Sequence, residues 1–268
     1  DFIGQVRLVG ATPVFYNLEP PDFQIDTDAL QRLITRRTRV MLLCSPANPT
    51  GAVLSRRNLE EVAAVAREHD LLVLSDETYC DLVYEGQHTS MGALPDMAAA
   101  TVSMFSFSKT YAMTGWRVGW VVAPPDVVQA MNVLQEHVVS CASAVSQYAA
   151  LAALLGPQEC VAEMRETYRQ RRDYIAAALN AIEGVQCPIP RGAFYAFPNL
   201  ARLSDSSDAL ADRLLQDARV ATIPGTAFNS AGEGFLRISY AASMDALKMA
   251  VERIRPVLQA TRRNHALS

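Results

Sequence analysis

Along the first half of the chain, short apolar runs that end in polar clusters alternate with stretches of helical period. The runs of strand length are residues 40–44, 71–74, 101–107 and 118–122. After the first run, Ser55 is a good N-cap for apolar residues at helical spacing, and the same spacing returns over residues 126–136. Such alternation is typical of a mostly parallel sheet with helices on both faces. We therefore predict an α/β large domain over residues 1–160.

The pattern changes past residue 157, where it indicates a smaller α+β domain. The predicted helices are residues 159–182, 209–217 and 243–258. The predicted strands are residues 185–189, 193–197, 220–223 and 235–240. No stretch rich in Gly, Ser or Pro separates the halves, so we place the boundary near residue 160, within or just before the long helix. Residues 161–268 are the predicted C-terminal domain.

Composition and charge exclude several classes of protein. The 268 residues are 50% hydrophobic, which provides a core and excludes a disordered chain. The formal net charge of -4 gives no footprint for nucleic acid. The most apolar stretch, residues 138–155, is interrupted by polar side chains, so no membrane span is predicted. Five cysteines without CxxC spacing suggest reduced thiols and a cytoplasmic location.

Motifs for several common chemistries are absent from the sequence. It lacks the glycine-rich dinucleotide and P-loop fingerprints, the zinc-protease helix motif and the hydrolase nucleophile elbow. The four histidines are scattered, so we predict no metal site.

Three polar clusters follow three predicted strands of the large domain. They are Asn48-Pro49-Thr50-Gly51, Asp76-Glu77-Thr78-Tyr79 and Ser106-Phe107-Ser108-Lys109. Ligands of open parallel sheets bind at the carboxyl ends of the strands, so we expect these clusters to converge. Chemistry that needs an amine has two candidates, because Lys109 and Lys248 are the only lysines and arginine does not deprotonate. Lys248 falls in the last predicted helix, where a solvated charge is expected.

These clusters, with two further motifs, carry a resemblance to a known family. The further motifs are Thr114-Gly115-Trp116-Arg117-Val118-Gly119 and Phe235-Leu236-Arg237-Ile238-Ser239. Taken in order along the whole chain, the motifs resemble those of the fold-type I pyridoxal-phosphate (PLP) aminotransferases of class I and II. The resemblance implies the PLP-transferase fold and transfer of an amino group between an L-amino acid and a 2-oxo acid through a Lys109 Schiff base. It also implies a homodimer.

The resemblance implies a role for each site residue. Lys109 would hold PLP and move the substrate α-proton, with Asp76 beside the ring nitrogen and Tyr79 beside the phenolic oxygen. Asn48 would contact the phenolic oxygen and the substrate. The remaining contacts are Ser106, Ser108 and Arg117 for the phosphate and Arg237 for the α-carboxylate. Ordinary structural roles compete with these assignments: a helix cap for Asp76, a packed ring for Tyr79 and a charge on an edge strand for Arg237. We expect Tyr195 to pack.

Members of this family carry an N-terminal portion before the point that matches Asp1. It supplies a phosphate-binding turn, an aromatic side chain that stacks on the cofactor and residues that reach the partner subunit. We expect the sequence to be part of a longer chain; a natural truncation completed by a partner and a noncatalytic remnant are the alternatives. A PLP-dependent lyase and a noncatalytic ligand-binding module are the alternative functions. Aspartate, glutamate, aromatic and aliphatic amino acids all remain candidate substrates.

Overall fold

The structure is a computed structural model that describes residues 2–265, with the side chains of residues 2–261. Asp1 and residues 266–268, at the outer ends of the two predicted domains, lie outside the described residues. The helices α1 to α9 are, in chain order, Phe2–Leu8, Thr27–Leu33, Arg56–Glu68, Phe107–Thr110, Pro125–Val139, Ala144–Leu155, Glu159–Asn180, Ser207–Arg213 and Met244–His265. The strands β1 to β7 are Val40–Cys44, Leu72–Asp76, Thr101–Ser106, Gly119–Val122, Tyr195–Ala196, Ile223–Pro224 and Leu236–Ser239.

The larger sheet has the order β1-β2-β3-β4. The first three strands run parallel, and β4 pairs with β3 in the antiparallel direction. In this register Cys44 lies opposite Asp76, and Asp76 lies opposite Met104. The carboxyl ends of β1 and β2 are therefore level, β3 runs two residues further to Ser106, and the loops that follow the three strands start from the same edge. The predicted α/β class and mostly parallel sheet are confirmed.

Helix α3 covers one face of this sheet, as its sequence pattern predicts. The Oγ of Ser55 caps it by accepting the N–H of Asn58 at 3.1 Å, which satisfies one of the unpaired donors of the first turn. Its buried apolar residues share one core with Met41, Leu43 and Val73 of the sheet. Burial of each large side chain contributes about 1.5–3 kcal/mol, so this stripe fixes the sheet that carries the strand ends.

A second, antiparallel sheet has the order β5-β7-β6. Helices α7 and α9 pack with it around the largest apolar core of the described residues. Tyr79 and Leu82, from the loop after β2, also belong to that core. This loop therefore connects the end of the parallel sheet directly to the second layer of the molecule, where Arg237 and Tyr195 lie.

The predicted strand at residues 185–189 is wrong. Cys187 donates its backbone N–H to the side chain of Asn180, and the segment has a single bridge, between Gln186 and Asn199. Proline has no N–H to give to a ladder. Pro188 lies in this segment and Pro190 directly follows it, which explains the irregular backbone. Of its predicted partner, residues 193–197, only β5 is a regular strand.

Other elements also differ from the predictions. The helix predicted at residues 209–217 begins at Ser207 and continues as a π turn over Leu214–Ala218. The strand predicted at residues 220–223 is the shorter Ile223–Pro224. Part of the apolar stretch at residues 138–155 is helix α6, which the sequence pattern did not assign. Within the described part of the chain, no helix is both long and apolar enough to cross a membrane. The boundary near residue 160 stays a prediction.

Candidate functional site

The three polar clusters that follow β1, β2 and β3 begin at one edge of the parallel sheet. Backbone bonding continues past the strands, since the N–H of Ser45 donates to the carbonyl of Asp76 at 3.1 Å. The N–H of Glu77 donates to the carbonyl of Met104 at 2.9 Å. The clusters thus start from a rigid frame, which suits a site whose groups must be held in fixed positions.

Lys109 lies on α4, a one-turn helix directly after β3. The Oγ of Ser106 caps this turn by accepting the N–H of Ser108 at 3.1 Å. The hydroxyl of Thr110 donates to the carboxylate of Asp81 at 2.8 Å, which ties the turn to the loop after β2. The Nζ of Lys109 is 5.5 Å from the ring centroid of Phe194. The structure therefore fixes the backbone on both sides of the amine.

Three positive charges lie close together at this edge. Partial burial lowers the pKa of Lys109, and the guanidinium charges of Arg117 and Arg237 lower it further. Among the residues that the structure describes, none of these three side chains forms a salt bridge with a carboxylate. Like charges without counter-ions repel one another, so the arrangement opposes folding unless an anion binds there.

Arg117 follows a short turn and has left-handed backbone, with φ of 52°. This conformation is unfavourable for a residue with a Cβ and is often found where function requires a particular side-chain direction. Its Nη1 donates to the carbonyl of Thr114 at 2.8 Å, and the rest of the side chain is exposed. The guanidinium therefore keeps donors available for another acceptor.

Arg237 lies on β7, in the second sheet. Its Nη1 donates to the Oδ1 of Asn48 at 2.9 Å, which connects the two sheets across the site. Its guanidinium carbon is 4.6 Å from the ring centroid of Tyr195 and 5.2 Å from that of Phe228. Its Nε is buried and has no hydrogen-bond partner among the described residues. An unpaired buried donor is costly, so this atom marks a place for an acceptor from outside the chain.

Asp76 is half-buried at the end of β2. Its Oδ1 accepts the N–H of Thr78 at 3.1 Å. Its neighbour across the sheet is Cys44, and burial raises the pKa of the Cys44 thiol to about 12, with the charge of Asp76 adding to the effect. The thiol therefore stays neutral, and the Asp76 carboxylate is left without a cationic partner in the described part of the chain.

The hydroxyls of Tyr79 and Tyr195 are 2.9 Å apart. Both side chains are buried, and the Tyr79 ring meets the edge of Phe194 with 5.4 Å between centroids. Burial raises the pKa of Tyr79 well above its ordinary value, and the hydrogen bond with Tyr195 raises it further. Tyr79 is therefore a neutral hydroxyl that can donate a proton in a hydrogen bond.

The structure groups the predicted site residues unevenly. Asn48, Arg237, Tyr195 and Tyr79 form a continuous chain of contacts. Ser108 and Lys109 lie on α4, and Ser106 caps it. Phe194 links this turn to the chain of contacts, because it contacts both Lys109 and Tyr79. Asp76 and Arg117 lie at the same edge without a direct contact to Lys109 among the described contacts. Lys248 is exposed on α9, as expected.

Two features of the site were not found from the sequence. Tyr195 packs as predicted, but its hydroxyl and its ring also contact Tyr79 and Arg237. Tyr79 and Tyr195 are 116 residues apart, so no local pattern signals the pair. The second feature is a buried network behind the site. The Glu77 carboxylate accepts bonds from His88 Nε2 at 2.7 Å, Ser90 Oγ at 2.9 Å and Ser103 Oγ at 3.0 Å.

Comparisons with known proteins agree with the arrangement of these motifs. A model of the family described as aminotransferase class I and II matches residues 1–254. Aromatic-amino-acid aminotransferase 2 of Thermococcus litoralis is 41% identical over 258 residues, covering 95% of this chain and 66% of the relative. An aspartate aminotransferase of Geobacillus stearothermophilus is 40% identical over 264 residues, covering 96% of this chain and 67% of the relative. This chain therefore spans about two thirds of the length of these curated relatives.

A solved aminotransferase structure has the same fold as this chain. The alanine aminotransferase of Pyrococcus furiosus superposes with a TM-score of 0.90 at 32% sequence identity. The superposition covers 97% of this chain and 67% of that structure. Both the parallel sheet and the second layer are therefore included in the match.

Proposed function

Because this chain belongs to the aminotransferase class I and II family, we propose that the protein is a PLP-dependent enzyme that moves an amino group between an L-amino acid and a 2-oxo acid. The observation that carries the proposal is the set of three cationic side chains, Lys109, Arg117 and Arg237, without carboxylate partners among the described residues. A phosphate and a carboxylate are the anions that such a set would bind.

The residues at this edge match the chemical groups of PLP. Lys109 would hold its aldehyde carbon, and Asp76 would keep its ring nitrogen protonated. Tyr79 and Asn48 would bind its phenolic oxygen. Ser106, Ser108 and Arg117 would bind its phosphate. When bound, PLP supplies a ring that withdraws electrons from the α-carbon of an amino acid.

Substrate binding and proton transfer would be carried out by side chains of the protein. Arg237, with its Nη1 on Asn48 and its Nε free to donate, would bind the substrate α-carboxylate through charge-assisted hydrogen bonds. This contact orients the α-carbon toward Lys109. The lowered pKa of Lys109 makes its amine easier to deprotonate, and the neutral amine is the form able to accept the α-proton and return it to a neighbouring carbon.

The proposed substrate class is limited to what all α-amino acids share. The relatives and the solved structure above are named for aromatic amino acids, aspartate and alanine, so their names differ in the side chain that they specify. The roles proposed for Arg237 and Lys109 concern the α-carboxylate and the α-carbon. We propose an L-amino acid and its 2-oxo acid as substrates, without a choice of side chain.

We also propose that the protein is a cytoplasmic homodimer. Exposed apolar side chains of α5 and α6 support a subunit contact, since a monomer would leave this surface in water. They include Val133, Leu134, Val138, Val145, Leu151 and Leu155. The five cysteines are all free, which agrees with a reducing compartment. Sedimentation of the purified protein as a monomer at micromolar concentration would contradict the dimer.

Borohydride reduction of the PLP-loaded protein, followed by peptide mapping, tests the cofactor and its position together. We expect one label per chain, on Lys109, with Lys248 unlabelled, and we expect the Lys248→Met protein to be labelled as the wild type is. Label on Lys248, or no label, would overturn the proposed site. Product analysis tests the reaction: one oxo acid should form for each amino group transferred. Release of ammonia and pyruvate without an acceptor would indicate a lyase instead.

A further inference from the structure

Tyr195 contacts the two parts of the candidate site at once. It lies on β5, where it pairs with Ser239 of β7 in the antiparallel direction. Side chains alternate along a strand, so Arg237, two residues from Ser239, is on the same face as Tyr195. This register explains why the Arg237 guanidinium lies over the Tyr195 ring, at 4.6 Å. The other end of the Tyr195 side chain reaches the Tyr79 hydroxyl.

The hydroxyl pair has a directional consequence. Tyr79 carries one proton, and its described hydroxyl partner is Tyr195. If Tyr79 donates that proton to a bound ligand, the pair keeps its bond only when Tyr195 becomes the donor. Tyr195 would then polarise the Tyr79 hydroxyl, because hydrogen bonds in a chain strengthen one another. Phenylalanine at position 195 would leave the Tyr79 oxygen buried without this donor.

The ring of Tyr195 has a separate consequence. The Arg237 guanidinium lies against both Tyr195 and Phe228, and its Nη1 donates to Asn48. Two rings and one hydrogen bond restrict the plane of the guanidinium, while its Nε stays without a partner among the described residues. A guanidinium held in one plane binds a carboxylate with less loss of side-chain entropy.

We propose that Tyr195 is a positioning residue for both halves of the site: its hydroxyl orients the Tyr79 hydroxyl, and its ring orients the Arg237 guanidinium. The inference rests on the proposed function, because Tyr79 and Arg237 are the proposed contacts to PLP and to the substrate carboxylate. It predicts that the two contributions are separable by substitution.

Two variants and a matched control separate them. Tyr195→Phe removes the hydroxyl and keeps the ring, whereas Tyr195→Leu removes both. Tyr240→Phe is the control, since Tyr240 is fully buried nearby and its hydroxyl donates to the carbonyl of Ala193 instead. Two measurements on the PLP-loaded protein are needed: the pH midpoint of the cofactor absorbance change, and the dissociation constants of maleate and 3-phenylpropionate. Asp76, Lys109, Arg117 and Arg237, the charged groups of the site, are unchanged in all three proteins.

We expect Tyr195→Phe to raise the pH midpoint by about 0.2–0.6 units. The hydrogen bond from Tyr79 to the phenolic oxygen favours loss of the proton from the Lys109 nitrogen joined to PLP. Without Tyr195 this hydrogen bond is weaker, so the proton is lost at a higher pH. The affinity of Tyr195→Phe for the two carboxylates should stay within about twofold of the wild type. Tyr195→Leu should show the same midpoint shift and bind the carboxylates about 5- to 30-fold more weakly, because the cation–π contact is lost. Tyr240→Phe should change neither.

Some results would overturn the inference. A Tyr195→Phe midpoint equal to that of Tyr240→Phe would exclude the hydroxyl role, and equal affinities for Tyr195→Leu and Tyr195→Phe would exclude the ring role. If Tyr195→Leu does not fold, Tyr195→Met replaces it because it fills more of the same volume. Failure of the wild type to take PLP on Lys109 would reject the proposed function, whereas normal loading with unchanged midpoints and affinities would reject only the role of Tyr195.

Discussion

Asp76 and Glu77 are neighbours in the chain, but their surroundings differ. Glu77 is almost completely buried and accepts hydrogen bonds from His88, Ser90 and Ser103. Asp76 is half-buried, and its side chain accepts a bond from the backbone of Thr78. A carboxylate whose acceptor sites are filled by the fold has a structural role. Asp76 accepts one described hydrogen bond, from the N–H of Thr78, so its carboxylate keeps acceptor sites for a ligand.

The same contrast extends to the groups around each carboxylate. Behind Glu77, the hydroxyls of Ser90 and Ser103 and the Nε2 of His88 bond to the carboxylate within the fold, while the buried Nδ1 of His88 has no partner among the described residues. At the same edge of the sheet as Asp76, Lys109 and Arg117 form no salt bridge with a carboxylate among the described residues. The network around Glu77 stabilises the fold. The cationic groups at the edge that carries Asp76 repel one another and are held in place by that fold. Substitutions in the two regions should therefore change different measurements.

The largest expected effect is that of Lys109→Met on activity. The amine is the proposed cofactor anchor and proton carrier, so we expect a loss of at least about 10⁴-fold in kcat, against an unchanged Lys248→Met control. Because burial and two guanidinium charges lower the Lys109 pKa, the charged amine opposes folding below that pKa. Wild-type stability should therefore rise as pH rises through the lowered pKa, and Lys109→Met should melt no lower than wild type near neutral pH. Residual transfer above a hundredth of wild type would contradict the assignment.

Asp76→Asn should give the next largest effect. An amide cannot supply the negative charge that keeps the ring nitrogen protonated, so we expect a loss of about 10³-fold in kcat, or about 4 kcal/mol. The amide oxygen can still accept the N–H of Thr78, so the melting temperature should change little. Steady-state kinetics and thermal melting of the same preparation check both statements. Activity within tenfold of wild type would place another group at the ring nitrogen.

The sequence is sufficient to predict this contrast only in part. The clusters that contain Asp76 and Lys109 begin at the last residue of their strands, so the positions of these two residues at one edge follow from local patterns and from the parallel sheet. The Glu77 network is different, because its partners Ser90 and Ser103 are 13 and 26 residues away. Ser, His and Glu are all common at surfaces, and no periodicity marks them as a buried group.

The errors in the fold have the same origin. Residues 185–189 have the apolar composition of a strand, but the prolines remove the donors that a ladder needs. Helix α6 is rich in alanine and apolar on several faces, so periodicity alone does not identify it. In each case the outcome depends on backbone hydrogen bonds or on packing between distant segments, which the pattern of one segment does not report.

Glu77→Gln tests the other side of the comparison. The amide removes a buried charge that hydrogen bonds stabilise, so we expect a loss of about 2–4 kcal/mol in the free energy of unfolding. Activity per folded molecule should stay within tenfold. Burial alone would raise the pKa of Glu77, but the bonds from His88 and Ser90 outweigh it and lower the pKa below 4.5.

The pH dependence gives this prediction its control. A carboxyl whose folded-state pKa is lowered contributes stability above its unfolded value near 4.5 and loses that contribution as pH falls through the folded value. The stability difference between wild type and Glu77→Gln should thus be full at pH 7 and shrink below pH 4.5. Urea unfolding of both proteins at pH 7 and below pH 4.5 measures this difference. A difference independent of pH would mean that shape, not charge, is what the network requires.

Arg237→Gln should have a smaller effect, mainly on substrate binding. It loses a charge-assisted carboxylate contact, so we expect KM to rise about 10- to 100-fold with a smaller change in kcat. Arg237→Lys keeps the charge but lacks the planar fork and should recover only part of the loss. Arg56→Gln, an exposed arginine paired with Glu60, is the matched control and should leave KM unchanged. An unchanged KM in Arg237→Gln would assign the carboxylate to another group.

Ser90→Ala should have the smallest effect and still distinguish the two regions. It removes one hydroxyl from Glu77 and leaves the bonds from His88 and Ser103 in place. We expect a loss of about 1 kcal/mol in the free energy of unfolding, measured in urea, with kcat and KM unchanged. If Ser90→Ala instead changed kcat as strongly as Asp76→Asn, the network behind β2 would act on the chemistry directly. The separation between a structural carboxylate and a functional one would then not hold.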